Sequence, residues 1–194
     1  MKILCILGKS ASGKDYILSL LEKNRIGKKV ISYTTRPKRA GEINHKDYHF
    51  ISEKKFLEMR NNNEFLGETS YNVNGKIWRY GNTKNSFSDK VVNLFICNPK
   101  GLKNLLKSPY KDNITALLVI TEDAIRKSRY FKRDNGKTNP DILVKQWEAR
   151  VKQDEKDFNN IDELLEKCPV SRKLYNSGYT DEVVLLSVKA LLKK

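Results

Sequence analysis

An α/β fold with a parallel sheet flanked by helices is predicted for this 194-residue chain by three features. Short apolar runs alternate with amphipathic stretches of helical period, the pattern of strand–helix–strand units. The first apolar run leads into a glycine-rich loop that opens a helix. A chain of this length buries most of its apolar surface in one core, so one domain with lobes is expected.

Taken in order, Lys2 to Leu7 reads as a buried central strand. Asp15 to Lys23 places Ile17, Leu18, Leu20 and Leu21 at helical spacing, so the loop before it opens a helix. Val30 to Tyr33, Leu94 to Cys97 and Leu117 to Ile120 are the next expected core strands. Asp141 to Phe158, Asp162 to Lys167 and Thr180 to Leu192 are expected helices. Between residues 34 and 88 the rhythm changes to a basic turn, a short helix from Glu53 to Arg60 and a hairpin. In that hairpin Asn74-Gly75 supplies the positive φ angles of a two-residue turn between Glu68 to Val73 and Lys76 to Tyr80. The segment reads as a small lobe inserted into the sheet fold. "KRDNGKTNP", residues 132 to 140, combines charge, Gly, Asn and Pro between two helices and reads as a mobile flap.

Composition narrows the class. The formal net charge of +15 attracts polyanions, whether nucleic acid or small polyphosphates. The lysines are spread along the whole chain, and no helix-turn-helix, zinc-finger or RNA-recognition pattern accompanies them, so nucleic acid is not an expected partner. Cys5, Cys97 and Cys168 are odd in number and widely spaced, which suggests neither a disulfide framework nor a zinc site. The longest apolar stretches fall far short of the roughly 18 residues a membrane span requires, and no signal-peptide pattern opens the chain. A soluble, cytoplasmic protein is expected, without a membrane partner, as a monomer or homodimer.

"GKSASGKDYI", residues 8 to 17, satisfies Gly-x-x-x-x-Gly-Lys through Gly8, Gly13 and Lys14, between a strand and a helix. Its glycines let backbone N–H groups wrap a phosphate, and the lysine and helix N-terminus add positive charge. Lys9, Ser10, Ala11, Ser12, Asp15 and Tyr16 complete the expected donor-phosphate site. Asp15 stands where such loops place a hydroxyl on Mg²⁺. A carboxylate is a hard oxygen donor, so Mg²⁺ bound by Asp15 directly or through water is expected; as a residue at a helix start, Asp15 is also favoured by the dipole.

"SYTTRPKRAGEINHKDYHFIS", residues 32 to 52, gathers Arg36, Arg39, Glu42 and Tyr48 around the turn formers Pro37 and Gly41. Two arginines three apart fork onto one phosphate, a tyrosine adds a hydroxyl, and a glutamate accepts from the N1–H and 2-amino edge of guanine. A basic turn alone is as often a solvated surface. His45 and His49 are four apart but lie in a turn-and-strand region without a third ligand, and Trp78 and Trp147 are expected in packing roles.

Together the two signals resemble the guanylate kinase family. That family has the phosphate loop followed by Ser-x-Thr-Thr-Arg-x-x-Arg-x-Gly-Glu and Asp-Tyr-x-Phe, matched here by Ser32, Thr34, Thr35, Arg36, Arg39, Gly41, Glu42, Asp47, Tyr48 and Phe50. The resemblance implies a three-layer parallel-sheet P-loop kinase core (1–31, 89–125 and 151–194), an NMP-binding lobe (32–88) and a helical lid (126–150). It implies Mg-dependent transfer of the ATP γ-phosphoryl group to GMP or dGMP. Arg36, Arg39, Tyr48 and Tyr80 would hold the acceptor phosphate, Ser32 and Glu42 would read the guanine, and Glu68 would be the second acidic residue of the GMP-binding lobe. Lys14, Arg36, Arg39 and the lid residues Arg129, Arg133 and Arg150 would carry catalysis, with Asn176 by the adenine. The chain departs from the pattern in a longer hairpin, in Asn82 where a serine is usual, and in Ile96 and Asn98 where an Asp-x-Asp pair is usual. Asp15 is expected to substitute for the missing strand carboxylate. Two alternatives follow from these departures: a deoxynucleoside monophosphate kinase of the same fold with another acceptor, and a catalytically inactive module that binds acidic or phosphorylated partners.

Overall fold

The computed structural model describes residues 1–39, 41–73 and 75–193. Five parallel strands form the main sheet: β1 (Lys2–Leu7), β2 (Lys28–Lys29), β7 (Val92–Ile96), β8 (Ile114–Ile120) and β9 (Val170–Tyr175), in the order β2-β7-β1-β8-β9. β1 is central and apolar on both faces, as the continuous run of its sequence requires. On one face, Leu4, Ile6, Leu94, Leu117 and Val119 pack against α1 (Lys14–Lys23) and α7 (Asp181–Leu192). On the other, Ile3, Cys5, Phe95, Ala116 and Leu118 pack against α3 (Pro99–Leu106), the end of α5 (Pro140–Phe158) and α6 (Ile161–Glu166). The result is three layers, helix, sheet and helix, with the phosphate loop at the carboxyl end of β1.

A second, four-stranded sheet, in the order β4-β3-β6-β5, lies in the chain between β2 and β7. It holds β3 (Tyr33–Thr34), β4 (His49–Phe50), β5 (Phe65–Val73) and β6 (Lys76–Thr83), with α2 (Glu53–Asn61) beside it. Phe56 of α2 stacks on Phe65 at 4.4 Å, while Arg60–Glu68 and Arg79–Glu53 ion pairs at 2.7 and 2.6 Å tie helix to strands. The hairpin strands run longer than their expected bounds, and Asn74 lies outside the described residues; Gly75 has φ +79°. The expected strand over Val30 to Tyr33 is divided instead: β2 ends at Lys29 in the main sheet, and Tyr33 begins β3 in the other. The chain passes from sheet to sheet across Val30 to Ser32, so no single ladder can claim it.

The expected flap also differs. Lys132 to Asp134 finish α4 (Asp123–Asp134), and Asn135 and Gly136 turn the chain at φ +53° and +73°. Thr138 bonds back to Asp134, and Asn139 caps α5, which Pro140 opens. The segment is therefore a tied helix–helix link. Tyr130, Leu143 and Trp147 form a small apolar core between these two helices. No helix among the described residues is long and apolar enough to cross a membrane.

Candidate active site

The phosphate loop leaves β1 at Gly8 and enters α1 at Lys14. A side chain at Gly8 would press on the Val119 carbonyl at 2.6 Å, and Gly13 has φ +94° against Asn176, so both positions require glycine. Lys14 Nζ donates to the carbonyls of Gly8 (2.7 Å) and Lys9 (2.9 Å), which bends it back over the loop. Burial pushes the Lys14 ammonium below its ordinary value, a charge awaiting an anion. The Ser12 carbonyl accepts from Thr121 Oγ1 and Asn176 Nδ2, each at 2.9 Å, and from Arg129 Nη1 at 3.4 Å. Of Arg129, Arg133 and Arg150, Arg129 is the one that bonds the loop, and Asn176 is a buried brace of it.

Asp15, in the first turn of α1, is exposed and has no hydrogen bond or ion pair among the described residues. It lines a cleft of about 270 Å³ together with Ser32, Arg36, Arg39, Glu42, Tyr48 and Tyr80. The structure therefore brings Asp15, next to the phosphate loop, and most of the expected acceptor residues to one cavity. Arg36 is 4% exposed and its guanidinium lies 5.3 Å from the Tyr48 ring. Tyr48, Tyr80 and Tyr71 follow one another edge to face at 6.0 and 5.8 Å. Burial, reinforced by Tyr80, pushes the Tyr48 hydroxyl up to about 12, so it stays a donor at neutral pH.

Glu42 is less free than its sequence position suggests. The Arg36 fork binds both its oxygens at 2.7 and 3.0 Å, and the Arg39 N–H adds a bond of 2.8 Å. Three of the roughly four acceptor positions of a carboxylate are taken. Burial opposes its ionisation, but these donors outweigh it and hold the carboxyl below its usual range. Ser32 and Asn82 bond side chain to side chain, with Asn82 Nδ2 donating to Ser32 Oγ at 3.0 Å.

Several expected residues lie elsewhere. Glu68 pairs with Gly81 across the hairpin and Thr69 with Tyr80, so alternation turns Glu68 to the face away from Tyr80, where Arg60 holds it. Tyr16 is 55% exposed, bonds Asp181 of α7 and does not line the cleft. Arg133 and Arg150 both lie against the Tyr130 ring of α4, at 5.7 and 5.5 Å, rather than in the cleft. Asn98 caps α3 by accepting from Gly101 N–H at 2.8 Å, and its amide meets the Tyr71 hydroxyl.

Two residues at the loop escaped sequence reasoning. Arg126 of α4 and Asp154 of α5, both buried, bond each other at 2.5 Å and both reach Ser10. A signal existed: each charge stands on an otherwise buried helical stripe, Arg126 with Tyr130 and Asp154 with Leu143, Trp147 and Phe158. Opposite charges on the apolar faces of successive helices mark a buried pair.

A family model described as guanylate kinase matches residues 1–127. Among curated proteins, the guanylate kinase of Mesomycoplasma hyopneumoniae (strain 7448) is 32% identical over 182 residues, covering 86% of this chain and 89% of that one. The guanylate kinase of Wolinella succinogenes is 30% identical over 149 residues, covering 73% and 67%. Among solved structures, the guanylate kinase from Anaplasma phagocytophilum superposes with a TM-score of 0.62 at 17% identity over 99% of this chain and 85% of that one, a likeness of fold.

Proposed function

This chain belongs to the guanylate kinase family, and from that premise we propose that it transfers the γ-phosphoryl group of MgATP to GMP or dGMP, giving ADP and GDP or dGDP. The observation that carries the reading is the single cleft in which Asp15 of the donor loop faces Arg36, Arg39, Tyr48 and Tyr80 of the acceptor lobe. A phosphoryl group has to pass between two such sites without meeting water.

Lys14 and the N-terminus of α1 hold the donor phosphates. Arg36, Arg39 and the Tyr48 and Tyr80 hydroxyls hold the acceptor phosphate. The base is read by Ser32 and Asn82, with Glu42 supplying the one acceptor position that Arg36 and Arg39 leave free and otherwise fixing the arginine fork. The transition state is loose and spreads charge over equatorial oxygens, so fixed cations supply most of what is required. Arg129 contributes from the lid, a role its bond to the Ser12 carbonyl supports, while Arg133 and Arg150 contribute only if the lid moves them off Tyr130. Asp15 fits a hydrated Mg²⁺: it is a hard, exposed, unpartnered carboxylate beside Lys14. Mg²⁺ held there would offset the repulsion between Asp15 and the phosphates. Closure of α4 and α5 over the cleft excludes the water that would hydrolyse ATP.

The test is a coupled ADP-release assay with MgATP against GMP, dGMP, AMP, CMP, UMP and dTMP. Turnover confined to GMP and dGMP is expected. Turnover on another base would displace the assignment of Ser32, Asn82 and Glu42, and silence with all six in folded protein would remove the kinase reading.

A further inference from the structure

Ser10 lies in the phosphate loop, and all of its polar groups are taken by α4 and α5. Its N–H donates to Asp154 Oδ2 at 2.8 Å, its hydroxyl to Oδ1 at 3.1 Å, and its carbonyl accepts from Arg126 Nε at 2.8 Å. Arg126 also binds Asp154 at 2.5 Å and Asp123 at 2.6 Å, and lies over the Trp147 ring at 5.5 Å. The Arg126 and Asp154 side chains are 1% and 12% exposed. A buried ion pair is a poor way merely to join two helices, since apolar side chains of the same volume often do so equally well or better. What this pair adds is direction: one donor and one acceptor aimed at the two backbone groups of one loop residue.

The next residue shows what that direction is for. Ala11 has φ +58°, a left-handed conformation that an alanine keeps only where its surroundings enforce it. The lid meets Ala11 as well, through the apolar cluster of Tyr130, Leu143 and Trp147. Ser10 is therefore pinned by polar contacts and Ala11 by apolar ones, both from the same two helices.

We propose that Arg126 and Asp154 are positioning residues of the phosphoryl-donor site, which hold the loop in its strained, phosphate-accepting curvature by clamping the backbone of Ser10 and so enforcing the left-handed turn at Ala11. The proposal rests on the donor-nucleotide reading of the loop and not on the identity of the acceptor.

The test compares the parent with Asp154→Asn, Ala11→Gly and the double variant, by KM for ATP, KM for GMP, the dissociation constant of ADP by calorimetry, and the urea midpoint. Asp154→Asn is expected to raise KM for ATP and weaken ADP by about tenfold or more, with KM for GMP within about twofold. Glycine takes φ +58° without enforcement, so adding Ala11→Gly should recover most of the ADP affinity while leaving the lowered urea midpoint unrepaired. A merely structural pair would behave in the opposite way, losing stability without losing ADP. Unchanged ADP binding in folded Asp154→Asn, or a loss that Ala11→Gly does not relieve, overturns the proposal. Should Asp154→Asn not fold, Arg126→Lys, which keeps the charge but loses the fork, takes its place under the same two criteria. ADP binding is read without an acceptor, so failure to phosphorylate GMP would count against the proposed function alone.

Discussion

Asp15 carries a charge that the nucleotide's own phosphates oppose, so its contribution should depend on a divalent cation. Asp15→Asn is expected to raise the Mg²⁺ concentration required for half-maximal turnover about tenfold, read by titrating Mg²⁺ at fixed ATP. Unaltered Mg²⁺ dependence would reduce Asp15 to a helix-start residue. Asn82 provides an amide where a hydroxyl is usual in the family, and its bond to Ser32 sets the direction it offers a base. Asn82→Ala should lower kcat/KM for GMP about tenfold while leaving ADP affinity in place. Glu42 titrates below its ordinary value because the Arg36 fork and the Arg39 N–H overcome the burial that opposes its charge. The Ile43 N–H, with help from Lys29, holds Asp47 down despite its burial. A depressed carboxyl contributes stability that is whole above the unfolded pKa and is lost as pH falls through the folded one. The urea midpoint should therefore decline as pH drops below about 4, and Glu42→Gln should flatten part of that acid limb.

Among the elements, α3 is started by one side chain that also reaches the hairpin through Tyr71. Asn98 accepts from Gly101 N–H and Pro99 follows at the first helical position, so Asn98→Ala should cost about 1 kcal/mol by urea unfolding. Between α4 and α5, Arg126→Met alone strands Asp154 and should cost about 3–5 kcal/mol, whereas adding Asp154→Leu should return much of it. The elements that could be read from the sequence were those whose period is self-sufficient: the apolar run of β1, the stripe of α1 and the body of α5 from Asp141 to Phe158. β9 was hidden because it is an edge strand, with Ser171, Arg172 and Lys173 exposed and Leu174 buried. The division of residues 28–34 between two sheets could not be read from a β-branched run that is right for either. Glu68 differs in that its distance along the chain suited the cleft, but counting back from Val73 opposite Lys76 pairs it with Gly81 and Thr69 with Tyr80, so the two-residue turn already sends it to the other face.

Over the whole molecule, the net charge of +15 acts at a distance on an anionic donor and an anionic acceptor. The Debye length shrinks from about 30 Å at 0.01 M salt to about 3 Å at 1 M, so kcat/KM for both nucleotides should fall steadily across that range, even where kcat holds. The fastenings of the phosphate loop bear on another property of the molecule, the order in which it is made. The loop is written by residue 16, yet Thr121, Asp154 and Asn176, which brace it, come 109, 144 and 164 residues after the groups they bond. β1 itself lies between β7 and β8, and β9 closes the sheet beside them. A chain emerging from the ribosome thus exposes its nucleotide motif first and secures it last. Until the segment around Asn176 leaves the tunnel, the loop lacks the last of these braces.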